Sequence, residues 1–271
     1  MNRKPVFFVS HGGGPWPWMP EQRASAYARL EASLTQMRAQ IGPAPKAILM
    51  VSAHWEEPEF TLQANPQPPM IYDYGGFPEH TYRIQYAAPG APPGLVARVQ
   101  GLIEAAGMVA RQDAERGFDH GCYAPLAITY PAAEAPVFQL SLKRGLDPAA
   151  HLALGRALAP LRDEGVVIVG SGLSYHNLRA FGPAGRAPSA AFDAWLQEAL
   201  IGRDASARAA ALLRWSEAPA AHQAHPREEH LLPLMVAAGA ASEDATRLVY
   251  HEADFFGALT VSSFAWGLAP Q

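Results

Sequence analysis

Cysteine is almost missing from this chain: 271 residues include one, Cys122. A single thiol forms no intramolecular disulfide, and cysteine-rich structural zinc patterns have nothing to draw on, so a metal site must use histidine and carboxylates. In FDHGCYAPL, Cys122 reads first as a small buried residue and only second as a nucleophile. Long apolar runs are missing too. The opening MNRKPVFFVSHGGG holds only the short run VFFV before a glycine turn, too little for a signal peptide. No stretch approaches the roughly 20 apolar residues of a membrane span, which predicts a cytoplasmic protein with no membrane partner. Basic runs are equally scarce. With a net charge of -4 and no Lys/Arg cluster to neutralise successive phosphates, nucleic acid is excluded as the main partner and a small molecule is expected. Charged residues make up 17% and hydrophobic residues 49%, the reverse of a disordered chain.

What is present reads as alternating strands and helices. Residues 6–10 and 47–52 predict strands, and 21–40 predicts a helix stopped by Gly42 and Pro43, a β-α-β opening with the first two strands paired in parallel. His11 and His54 then fall just past strand carboxyl ends, where open α/β sheets place ligands. Residues 65–94 are too rich in proline, glycine and aromatics for a long helix and too apolar for a solvated linker, so a structured loop or lid is expected. Further helices are expected over 94–107, over 147–164 (begun by Asp147 and Pro148), over 188–214 and over 226–238. Buried strands are expected over 136–142 and over 166–169 leading into Gly170-Ser171-Gly172, with antiparallel closing strands over 246–250 and 259–264. The length suits one core. The expected class is α/β, a single domain over 1–271 with a central, mostly parallel or mixed sheet flanked by helices.

Four of the histidines stand at element ends: His11 in VSHGGG, His54 in VSAHW, His176 in GSGLSYHNLR and His230 in HPREEHLLPL. Imidazole is the commonest protein ligand for divalent transition metals, so this placement points to one metal centre assembled from the whole chain. The glycines after His11 permit close approach of backbone and substrate; the competing phosphate-loop reading lacks both the P-loop register and GxGxxG. His54 precedes Glu56 and Glu57, and its second nitrogen can bond a carboxylate or carbonyl. His230 is expected on a helix introduced by Pro226, where successive side chains diverge by about 100°, so only one of Glu229 and His230 faces a metal squarely. Glu229 would complete a 2-His-1-carboxylate site, but carboxylates favour a first helical turn for structural reasons, which leaves His230 as the preferred inward residue.

His176 and His120 each have a polar neighbour, Asn177 and Asp119, able to fix a tautomer, and both suit acid/base work, ahead of the competing readings of a capping residue for His120 and a packing residue for His176. His80 can line a pocket from the aromatic loop, while His151, His222, His225 and His251 read as solvated or capping residues. Trp16, Trp18, Tyr72, Tyr74, Phe77 and Tyr123 flank the histidines in turns, suiting either a pocket for a flat ring or ordinary packing.

Taken together, SHGGGP (10–15), VSAHW (51–55), IYDYGGFPEHTYRIQYAAPG (71–90), GFDHGCYAPL (117–126), GSGLSYHNLR (170–179) and EEHLLPLMVAAGA (228–240) resemble the class III (LigB-like) extradiol ring-cleaving dioxygenases, most closely the DOPA-dioxygenase branch. The resemblance spans nearly the whole chain. It implies a non-haem Fe(II) centre that opens a catechol beside its two hydroxyls with one O2, yielding a muconic semialdehyde-type product. By motif, His11, His54 and His230 look like the metal ligands and His176 like the acid/base histidine, a fourth ligand when Zn(II) occupies the site. His120 looks like a second proton-handling or substrate-orienting residue. The turn Gly13-Gly14-Pro15-Trp16-Pro17-Trp18 departs from the Ser-Pro-Met-like turn usual in relatives, and a histidine third ligand replaces the glutamate of protocatechuate-cleaving members. The catechol and any homo-oligomeric assembly stay open. Two competing functions remain: a zinc-dependent hydrolase with His176 or His120 as general base, and a non-catalytic metal-binding relative whose pocket is filled.

Overall fold

The runs VFFV, AILMV and VVIV show no polar alternation, which suits strands buried on both faces. They form the centre of the sheet in the computed structural model, which describes residues 3–42, 44–241 and 243–269. The chain runs β1 (Val6–Ser10), α1 (Pro20–Ala24), α2 (Ala28–Ile41), β2 (Ala47–Glu57), β3 (Phe60–Gln63), α3 (Pro93–Ala105), β4 (Ala110–Asp113), α4 (His120–Thr129) and β5 (Val137–Lys143). It continues through α5 (Pro148–Leu158), β6 (Val166–Gly172), α6 (Arg186–Leu200), α7 (Ala205–Leu213), α8 (Ala221–Ala224), α9 (Leu232–Ala241), β7 (Thr246–Phe255) and β8 (Leu259–Trp266).

The strands form one 8-stranded mixed sheet in the order β4-β3-β5-β2-β6-β1-β8-β7. The inner strands β5, β2, β6 and β1 are parallel, while β8 runs antiparallel to β1 and β7 to β8. The expected α/β class and mixed sheet are therefore present, but β1 and β2 do not pair with each other. The uniformly buried β6 needs cover along both edges and lies between them, with Ser171 in register with Val9 on one side and Ser52 on the other. Three strand ends are thereby level at one edge of the sheet, which positions the site.

Alternation along β6 sends neighbouring residues to opposite faces. Gly170 faces the first turn of α9, Gly172 the turn before it, and Ser171 the start of α4. Every residue of α9, LPLMVAAGAA, is buried, because it packs across β6, β1 and β2 under α5 and α7. On the other side α4 packs on β2 and against α2.

Several elements differ from expectation for local reasons. The helix expected over 21–40 breaks at Tyr27, whose ring is buried against Trp16 and whose hydroxyl accepts the Gly13 N–H. Pro43 lies outside the described residues. The 188–214 helix splits where Gly202 takes a positive φ of 70° and Asp204 caps α7 by accepting from Ala207 N. β2 runs on to Glu57 through an irregularity between Val51 and Glu56, so His54 sits inside the strand's bulged end rather than beyond it. The 226–238 helix starts only at Leu232. His230 stands in the preceding turn, its carbonyl taken by Leu173 N from the end of β6, so the helix-dipole argument for Glu228 and Glu229 falls away. α4 was not expected, since Gly121 and Pro125 disfavour a helix; burial and the Asp119 cap at Cys122 N override propensity. β3 and β4, each short and bordered by turns, were also not foreseen.

The aromatic segment is anchored at its start, where Ile71 N donates to Phe118 O and Phe118 N to Pro69 O, both at 2.8 Å. Its tyrosines close the loop on itself, Tyr72 Oη donating to Ile84 O and Tyr74 Oη to Thr81 O. It is a structured loop, and it brings Asp73 to the site.

Candidate metal centre

His11, His54 and His230 converge although they come from three separate parts of the chain. His54 Nε2 lies 3.3 Å from His11 Nε2 and 3.3 Å from His230 Nε2. Two nitrogens bound at about 2.1 Å to one ion, at angles near 90–110°, are separated by roughly 3.0–3.4 Å, so the spacing fits a shared cation.

The other ring nitrogens fix the tautomers of His11 and His230. Ser171 Oγ donates to Gly121 O and therefore accepts from His11 Nδ1 at 3.1 Å. His230 Nδ1 donates to Glu229 Oε1 at 2.9 Å, and His54 Nδ1 faces Asp73 Oδ2 at 3.6 Å. With Nδ1 protons given to Ser171 and Glu229, His11 and His230 turn bare Nε2 lone pairs toward His54 Nε2, an arrangement that suits a shared cation. Burial, followed by the neighbouring imidazoles, pushes His11 and His230 well below the ordinary histidine range. Burial and His120 push His54 down to about 4, against the opposing pull of Asp119 and Asp73. Neutral imidazoles are the metal-binding form.

His120 and His176 border this trio. The possible donors form two groups, His11 with His54 and His120, and His176 with Glu229 and His230, each with its ligand atoms within 4.8 Å of one another. The Nε2 contacts join the groups through His54 and His230. The His176 ring stacks on His230 with centroids 3.4 Å apart and planes within 16°. Its Nδ1 lies 3.2 Å from Glu229 Oε1, the oxygen that also holds His230. Asp73 does the same on the other side, with Oδ1 accepting His120 N at 3.0 Å and Oδ2 lying 2.9 Å from His120 Nδ1. Burial opposes ionisation of both acids, yet contact with His120 holds Asp73, and contact with His176 holds Glu229, below the ordinary carboxylate range.

These partners are not the sequence neighbours expected. Asp119 is a buried cap that accepts from Ser52 Oγ, Gln139 Nε2 and Arg116 Nη2, and Asn177 caps Arg179 N. Glu56, expected as a candidate partner of His54, pairs with Arg227 instead, and Glu57 takes the Trp55 indole N–H. Asp73 carried a readable sign as the one acid within the aromatic loop segment YDYGGF, and Ser171 as the one hydroxyl in GSG.

A cleft of about 640 Å³ opens beside the five histidines. Phe77 alone of the six expected aromatics lines it, together with Tyr27, Phe181 and Phe255. Trp16 instead is buried under the site, its indole N–H donating to His11 O at 2.7 Å; a Cβ on Gly12, at φ +78°, would strike that indole. Trp18 and Tyr123 pack on each other, and Tyr72 and Tyr74 on Tyr82. His80 is exposed and contacts Trp18 O rather than the cleft. His151 and His225 are buried, not solvated, and bond Asp147 O and Ser174 O; His222 and His251 are exposed, the latter beside Asp193. Cys122 is fully buried, and burial, then Asp119, pushes its thiol well above its ordinary range, which removes it as a nucleophile.

The glycines of GSG have a packing role. A Cβ on Gly172 would lie 2.1 Å from His230 O, inside any tolerable contact. Gly172→Ala is therefore expected to push His230 away from His54 and weaken metal binding by about 10–100-fold, the usual effect of disturbing a ligand's support. Titration of the metal-free variant with Zn(II) checks this, and wild-type affinity would mean that the turn accommodates a methyl group.

Among the described residues, no helix is long and apolar enough to cross a membrane. The family described as "Catalytic LigB subunit of aromatic ring-opening dioxygenase" matches residues 5–264. A Beta vulgaris protein named 4,5-DOPA dioxygenase extradiol is 39% identical over 97% of this chain and 96% of its own length. The Escherichia coli K12 protein of the same name is 33% identical over 88% and 86%. The crystal structure of an uncharacterized Escherichia coli K12 protein superposes with a TM-score of 0.76 at 27% identity, covering 97% of this chain and 99% of that one. With the family match covering residues 5–264 and all five histidines, and relatives alike over most of their length, this chain belongs to the LigB family and is an extradiol aromatic ring-opening dioxygenase.

Proposed function

We propose that His11, His54 and His230 hold Fe(II) through Nε2 and that the adjoining cleft takes a catechol and O2, with residues 1–271 acting as one cytoplasmic catalytic domain. The observation that carries this reading is the pair of 3.3 Å Nε2 contacts that His54 makes with His11 and His230. A bound ferrous ion would supply Lewis acidity and a route for electrons between the aromatic substrate and oxygen. Three neutral imidazoles also accept Zn(II), so the donor set suits either metal and the preference for iron follows from the oxygenase reaction.

His176 acts as the acid/base residue. With Nδ1 on Glu229, its Nε2 is free to take a catechol hydroxyl proton, and the resulting imidazolium, beside the Glu229 carboxylate, can return that proton as the ring opens. Stacked face to face on His230, His176 would act beside the three ligands rather than among them. His120, its Nδ1 on Asp73, serves as a second proton-handling or orienting group from the other side of the cleft. The cleft volume falls in the range of small-molecule sites and favours an enzyme over a relative with a filled pocket. Since relatives are named for DOPA, a catechol amino acid is the first substrate to try.

Anaerobic reconstitution with Fe(II), followed by a catechol panel in aerated buffer, tests the reading. Equimolar O2 uptake with a yellow ring-fission chromophore is expected; an iron-loaded protein that consumes no O2 with any catechol would refute it.

A further inference from the structure

Apart from the histidines, one side chain among the described residues lining the cleft is cationic, Arg227. It is held there by Glu56, which also lines the cleft, through Nη1–Oε1 and Nη2–Oε2 contacts of 2.6 Å each. Arg227 Nη1 lies 3.6 Å from Glu229 Oε2, a buried oxygen with no hydrogen-bond partner, so the pair stands one carboxylate away from His176 and His230. The same cleft is lined by apolar side chains, Leu173, Leu178, Phe181 and Phe255.

An ion pair with 55% and 21% side-chain exposure contributes little to stability, so its place in the cleft asks for another reason. Both members keep unused capacity. A guanidinium carries five N–H donors, of which Glu56 engages two, and each carboxylate oxygen accepts more than one bond. A ligand of the same two charges in reverse order can add to both members without separating them. A singly charged ligand satisfies one member and crowds the other, and a neutral ring gains nothing from either.

We propose that the Arg227–Glu56 pair is the specificity-determining element of the cleft, taking the side chain of a zwitterionic catechol with its carboxylate on Arg227 and its ammonium on Glu56. This rests on the extradiol reading above and names the residues that choose among catechols. Glu56 has a second role as the positioning residue that fixes the guanidinium fork toward the cleft.

The test measures Kd by calorimetry on the zinc-loaded protein, without turnover, for dihydroxyphenylalanine, dihydroxyphenylpropionate, dopamine and methylcatechol, alongside KM for each with the iron-loaded enzyme. The zwitterion should bind tightest and methylcatechol weakest. Arg227→Gln should weaken the two carboxylate-bearing ligands about tenfold or more while shifting dopamine and methylcatechol less than about threefold. Glu56→Gln should weaken the two ammonium-bearing ligands, and Arg227→Lys, which keeps the charge but loses the fork, should recover part of the loss. Equal shifts for all four ligands, or a wild-type protein that does not rank them by charge or binds none, would overturn the proposal. Ranked binding by a protein that opens no catechol would leave the pair's role standing and remove the ring-cleavage reading; unranked cleavage would do the reverse.

Discussion

His54→Ala leaves a folded protein without stoichiometric metal and without ring-cleaving activity, and His11→Ala does the same. His54 is the stronger test, because its Nε2 is the atom that both other nitrogens approach. Without it His11 and His230 keep their own supports, Ser171 and Glu229, but have no third donor to hold an ion against water. The fold should survive, since the sheet centre is apolar and none of its strands depends on the imidazole. The metal-free wild type should lose stability on acidification. The unfolded chain protonates its histidines near 6.5, whereas folded His54 resists until about 4, so the unfolded state binds more protons throughout that window and unfolding is favoured as pH falls through it. Metal analysis after Fe(II) or Zn(II) loading, with the exposed His222→Ala as control, decides the matter; full occupancy in both variants would remove the ligand assignment.

How far the sequence could be read follows from what its patterns encode. Uninterrupted apolar runs told of a parallel, doubly covered sheet, and histidines at run ends told of a site at its edge. Strand order was not legible, because VVIVGSG carries no sign that it inserts between the first two strands; that choice is made by edges seeking cover. His230 was placed on a helix since PREEHLLPL has helical composition, yet Leu173 N takes the His230 carbonyl and holds the residue in a turn. Adjacency in sequence is a poor guide to the partners of His120 and His176. Side chains adjacent in sequence, Asp119 and Asn177, diverge to cap their own backbones, while Asp73 and Ser171 arrive from other elements. Glu229 is the instructive case: by sequence it competes with His230 for the ligand position, and in the fold its Oε1 accepts from His230 Nδ1.

His176→Ala should lower turnover by roughly 10²–10⁴-fold, the span of a lost general acid or base, while leaving metal content unchanged. The two readouts separate two roles. If His176 were a ligand, its removal would weaken Zn(II) binding along with turnover; the stack on His230, at 3.4 Å between centroids, predicts that only turnover responds. KM for the catechol should change little, since the missing group acts on a proton in the transition state rather than on the bound ring. His120→Ala offers the comparison. It is expected to act on both KM and turnover, because its backbone N–H donates to Asp73 Oδ1, its Nδ1 lies 2.9 Å from Asp73 Oδ2 and its ring lies 4.0 Å, centroid to centroid, from that of His54. Unchanged turnover in His176→Ala would take the acid/base role away from it and leave His120 as the imidazole able to receive the hydroxyl proton.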